Sequence, residues 1–100
     1  MDMGTPHSRS DLSAAFAEQL RAERAAARLS RADLASAAGI SAKAVQRLEE
    51  NEREMDTDQL ARICRALGVP VLEFVTRATG RMPPTTINAS DPQADTRTAG

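Results

Sequence analysis

The sequence predicts an all-α fold of five short helices. Three observations carry this expectation. The chain has Ala-rich, Arg-rich and Glu-rich stretches, while β-branched runs are almost absent. Apolar residues recur at i, i+3 and i+4. Serine, glycine or proline punctuates most of the periodic stretches.

The first helix begins at Asp11 or Leu12 and runs to about Arg28, with Leu12, Phe16 and Leu20 on one face. Ser30, with Asp33 three residues later, announces a second helix from Arg31 to about Ala37. Gly39 stops it, because glycine best accepts the positive φ just past a helix end. Ser41 caps a third helix from Ala42 to about Glu50, which turns Val45 and Leu48 inward. Thr57 or Asp56 caps the fourth, which carries Leu60, Ile63, Cys64 and Leu67 and ends at Gly68. Pro70 opens the fifth, where its missing N–H costs nothing. That helix offers Val71, Phe74 and Val75 to the core and ends near Ala78.

Residues 1–10 lack periodicity and read as a flexible leader. Residues 79–100 hold Pro83, Pro84 and Pro92 with Ile87 as the only branched aliphatic side chain, so they are expected to be a disordered tail. The unit between them, residues 11–78, is small for a lone domain, which favours dimerisation.

Composition narrows the function. Phe16 and Phe74 are the only aromatic residues, so Leu, Ile, Val and Ala must build the core. Cys64 is the single cysteine and His7 the single histidine, which excludes an internal disulfide and gives no metal site or cofactor. Cys64 falls on the apolar face of the fourth helix and reads as a small core residue. No apolar run reaches the ~20 residues that span a bilayer, and no secretion signal opens the chain. A cytoplasmic protein is expected. Asp33 and Glu49 have no nucleophile and base grouped with them, so catalysis is not expected.

Net charge is −1, but its distribution is uneven. Residues 20–48 set six bases against two acids, whereas residues 49–58 set six acids against one base. A polyanion would meet one part of this surface and avoid the other.

The segment 30–48, SRADLASAAGISAKAVQRL, has the logic of a helix-turn-helix. Ala35 lets the third helix cross the second at close range, Gly39 makes the turn, and Ile40 plugs the angle between them. Ser41, Ala42, Lys43, Gln46 and Arg47 are left on the outer side of the third helix, the side that enters a major groove.

Together with RLE at 47–49 and LARICRALGV at 60–69, this segment resembles the Cro-repressor, or XRE, family over residues 16–75. The resemblance implies a five-helix phage-repressor-like DNA-binding domain. It also implies a sequence-specific transcription regulator, a repressor acting as a homodimer on double-stranded operator DNA. Ser41, Ala42, Lys43, Gln46 and Arg47 fall on the family's base-reading positions. Arg47 suits a bidentate contact to guanine and Ala42 a methyl contact to thymine. Arg31 stands where the family usually carries a phosphate-binding Gln. Glu49 matches an acid that pairs with an arginine of the first helix, here Arg24. Asn51 and Arg53 are the flanking phosphate contacts.

Two features depart from the family. The loop after the third helix is acidic, which would repel phosphate. Leu72 replaces a residue that is commonly polar, and is expected in a two-fold dimer contact. Arg21 and Arg28 read as part of a solvated helix face. The alternative is a protein-interaction module or antitoxin of the same fold, binding a protein partner with weak or no DNA affinity.

Overall fold

A computed structural model describes residues 10–82. Within them lie five helices: α1 (Asp11–Ala26), α2 (Arg31–Ala38), α3 (Ala42–Glu49), α4 (Thr57–Leu67) and α5 (Val71–Thr79). No strand occurs among the described residues. The expectations of a flexible leader and a disordered tail fall mainly outside the described residues. Inside them, Ser10 caps α1 by accepting from the Ser13 N–H at 3.0 Å. Arg81 reaches back to α1, its Nε 2.7 Å from Gln19 Oε1.

Local chemistry sets each helix start. Ser10, Ser30, Ser41 and Asp56 all hold extended backbone and accept a hydrogen bond from the third residue onward. Ser30 with Asp33, and Asp56 with Gln59, complete reciprocal capping boxes. Pro70 is the N-cap of α5 and makes no side-chain bond.

Four of the helices end in one recurring device. A residue one or two positions past the helix takes positive φ and the next N–H reaches back five residues, as in a Schellman motif. Gly39 (φ 73°) and Gly68 (φ 72°) do this in α2 and α4. Ile40 N–H then bonds Ala35 O, and Val69 N–H bonds Cys64 O, each at 3.0 Å. Arg28 (φ 59°) and Asn51 (φ 57°) close α1 and α3 in the same way. The expected end of α1 at Arg28 is therefore two residues late, because Arg28 is the left-handed residue beyond it.

The core is aliphatic around one aromatic ring. Leu20, Leu34, Val45, Leu48, Ile63 and Phe74 are each no more than 2% exposed. Phe16 meets Phe74 edge-to-face, with ring centroids 5.6 Å apart. α1 packs on α5 and α3, and α2 packs on both α3 and α4. Two residues assigned inward by periodicity lie elsewhere. Leu12 is 41% and Val71 42% exposed, each in the first turn of its helix.

Candidate nucleic-acid interface

The turn between α2 and α3 determines what α3 can present. Ala35 and Ala38 are buried on α2, which packs against both α3 and α4, and small side chains there allow a close approach. Ile40 packs partly buried against the core at the turn. Val45 and Leu48 seat the inner face of α3. Its other face is left to solvent, where Ser41, Ala42, Lys43 and Arg47 are exposed and Gln46 is half-buried.

Their side chains differ in what engages them. Ser41 Oγ accepts from the Ala44 N–H at 3.0 Å, so it caps the helix it was assigned to read with. Gln46 Nε2 donates to Glu50 Oε2 at 3.4 Å. Lys43 and Arg47 carry no side-chain hydrogen bond or ion pair among the described residues. These are two adjacent cations on a rigid helix, available to an outside anion.

A buried carboxylate holds α3 in place. Glu49 is fully buried and accepts from Arg24 Nε at 2.5 Å, Arg24 Nη2 at 3.0 Å and Arg31 Nε at 2.9 Å. Arg21 adds a hydrogen bond to the Glu49 backbone oxygen. Arg24 also donates to Leu29 O at 2.9 Å, tying down the α1–α2 connection. Burial opposes ionisation of Glu49, yet the hydrogen bonds from Arg24 and Arg31 outweigh it and hold the carboxyl below its ordinary pKa. The same pairing raises the Arg24 pKa. One acid thus fastens α1, the start of α2 and the end of α3 together.

Arg24 and Glu49, assigned to a structural pair, are brought together. Arg31, assigned to phosphate, lies in that same cluster, and its Nη1 is also 3.9 Å from Glu50. Arg31 keeps a half-buried outer edge at the N-terminus of α2. Asn51 Oδ1 accepts from Ser13 Oγ at 2.7 Å, so its amide oxygen is turned toward α1. Arg53 is exposed on the connection to α4, and Leu72 stands 79% exposed on α5.

Sequence reasoning missed a second polar cluster behind the interface. Glu23, 8% exposed, accepts from Gln19 Nε2 at 2.7 Å and from Arg77 Nη1 at 2.6 Å. Arg77 also bonds Glu73. The i, i+4 spacings of Gln19 with Glu23 and Glu73 with Arg77 were legible as separate pairs. Their joining across 54 positions was not. Cys64 is buried nearby, and burial, followed by the Glu23 charge, pushes its thiol pKa up, so it stays protonated.

A short helix packed under an outward-facing basic helix, fixed at a tight glycine turn, defines a helix-turn-helix DNA-binding protein. The chain belongs to the helix-turn-helix domain family, whose model matches residues 15–74. Among solved structures it is similar to the clp gene regulator ClgR of Corynebacterium glutamicum. That match has 31% identity and a TM-score of 0.69, covering 74% of this chain and 96% of that one. It is also similar to the restriction-modification controller protein C.AhdI of Aeromonas hydrophila, at 26% identity and a TM-score of 0.60, covering 62% and 94%. A mutant of a second restriction-modification controller protein shares the fold, at 21% identity and a TM-score of 0.67, covering 70% and 91%. No curated protein matches the sequence. The fold is that of DNA-binding transcription regulators, which are not normally enzymes. No helix among the described residues is long and apolar enough to cross a membrane.

Proposed function

We propose that the protein is a sequence-specific transcriptional repressor that binds operator DNA as a homodimer in the cytoplasm. The observation that carries this reading is the pair Lys43 and Arg47, exposed and unpaired among the described residues on a helix braced by buried Glu49. In this reading α3 enters the major groove. Arg47 reads guanine, Lys43 reaches guanine or phosphate, and Ser41, Ala42 and Gln46 complete the base contacts. Arg31, Asn51 and Arg53 meet the flanking phosphates, and Leu72 lies at the two-fold contact. The folded unit is centred on residues 11–78 and extended by the Ser10 cap, by Thr79 at the end of α5 and by Arg81, which bonds Gln19.

Two recognition helices related by a dyad would read half-sites about 34 Å apart, one helical turn. Selecting bound sites from a random duplex pool tests both parts at once. A palindrome with that spacing is the expected product. Recovery of unselected sequence would sink the reading.

A second reading draws support from the acidic stretch after α3 and from the acid that engages Gln46 and Arg31. In it the protein is an interaction module or antitoxin that grips a protein partner with weak or no DNA affinity. Salt separates the two. A dimer making ~6 phosphate contacts has a log–log salt slope of about −5, whereas protein recognition has no such slope.

A further inference from the structure

Glu50 occupies an unfavourable place. It is the C-cap of α3, at the negative end of that helix, where an acidic side chain is disfavoured. Its carboxylate nevertheless faces two groups of the DNA surface proposed above. Oε2 accepts from Gln46 Nε2 at 3.4 Å and lies 3.9 Å from Arg31 Nη1. Arg31 bonds Glu49 through Nε and turns Nη1 toward Glu50. Glu50 itself is exposed, its side chain 40% accessible, so neither contact is buried. Both contacts are long and solvent-exposed, and such pairs are weak enough for a competing anion to displace.

We propose that Glu50 is a specificity-determining residue that acts as an internal competitor for the phosphate backbone. It occupies Arg31 and Gln46 until a duplex with the right bases displaces it. A phosphate approaching the start of α2 meets the Glu50 carboxylate beside the arginine it seeks. A duplex held by phosphate contacts alone leaves Glu50 on Arg31 and Gln46 and meets this repulsion in full. A duplex that satisfies Arg47 and Lys43 at the bases also draws Gln46 and Arg31 away from Glu50, and so meets less of it. The effect lowers non-specific affinity and widens the ratio of specific to non-specific binding, the quantity that matters when competing sites are in vast excess. The inference rests on the DNA-binding reading of α3.

The test uses the full chain and three proteins: the parent, Glu50→Gln and Glu54→Gln. Glu54 lies on the same acidic stretch, is exposed, and has no contact with Arg31 or Gln46. The control therefore removes the same charge from a different place. Binding to a random-sequence duplex and to a pool-selected duplex is followed by fluorescence anisotropy across salt concentrations.

Glu50→Gln should tighten binding to the random duplex on the order of tenfold at low salt. Its salt slope should steepen by about 0.9 for each further phosphate that the freed cations neutralise. The selected duplex should tighten less, so the selectivity ratio falls. Glu54→Gln should change both duplexes alike and only slightly. Equal behaviour of the two variants, with a parent that binds DNA, overturns the role of Glu50 and leaves the DNA-binding reading standing. Absence of binding by the parent and by Glu50→Gln alike overturns both. Binding acquired only by Glu50→Gln supports the competitor role. Thermal melting of each variant provides the folding control, and Glu50→Gln should melt no lower than the parent because it removes an acid from a helix C-terminus.

Discussion

The guanidinium of Arg24 meets the carboxylate of Glu49 edge-on, with Nε 2.5 Å from Oε2 and Nη2 3.0 Å from Oε1. The two residues are 25 positions apart and belong to α1 and α3. The carboxylate has no exposure, whereas 22% of the arginine side chain is accessible. The geometry of the exposed helix therefore depends on a carboxylate that solvent does not reach.

Removing one member of a buried pair leaves the other uncompensated. Glu49→Ala strands Arg24 and Arg31 together and should destabilise the fold by about 3–5 kcal/mol. Arg24→Ala leaves Arg31 on the carboxylate and should cost less. Urea denaturation of both variants gives the ordering, and a Glu49→Ala protein as stable as the parent would contradict it.

The lowered pKa of Glu49 predicts an acid limit to stability. In the unfolded chain a glutamate takes its proton near pH ~4.3, whereas the folded chain resists protonation to lower pH. The unfolded state thus binds more protons across that window. The contribution is fully present above the unfolded value and is lost as pH falls through the folded one. Urea midpoints of the parent should decline below about pH 4.3. Glu49→Gln should lower the midpoint at neutral pH and flatten that part of the decline.

Arg47→Ala should weaken binding to a selected duplex by about 1–3 kcal/mol per half-site and relax the base preference at one position. Arg53→Ala should weaken all sequences evenly and reduce the salt slope by about 0.9 per half-site. Arg31→Ala should lose stability as well as affinity, because Arg31 also holds Glu49. Anisotropy titrations paired with melting curves separate these three patterns.

Leu72 is 79% exposed, so the isolated fold gains little from it. Leu72→Glu should therefore leave the helical content of the protein unchanged while shifting sedimentation equilibrium from dimer toward monomer. A parent that sediments as a monomer at high concentration would remove this residue from any two-fold contact.

The helix ends provide a test of backbone strain. Arg28 holds φ 59°, a region that costs a side-chain-bearing residue roughly 1–2 kcal/mol. Arg28→Gly should stabilise the protein by less than that, since glycine also loosens the unfolded chain. Gly39→Ala should do the reverse and cost about 1 kcal/mol. The added Cβ would also lie 3.1 Å from Arg62 Nη1, but that is the end of a flexible side chain and can shift. Opposite shifts in melting temperature are the expected outcome.

Sequence by itself determined the number and order of the helices and the caps of α2, α3 and α4 at their starts, because propensity, capping and turn chemistry act within four or five residues. Ser30 with Asp33, Gly39, Ser41 and Gly68 mark their boundaries in the chain as plainly as in the fold. The exposed side of α3 was legible for the same reason, since Val45 and Leu48 fix its phase. Tertiary structure decided which polar groups meet. Arg21 and Arg31 join Arg24 around Glu49, and Glu23 gathers Gln19 and Arg77, through separations of up to 54 residues that no helical period encodes. It also decided how far coverage extends. Leu12 and Val71 have the right periodicity, yet they remain 41% and 42% exposed in the first turns of their helices. Periodicity gives the direction of a side chain, whereas burial depends on what the rest of the chain places against it.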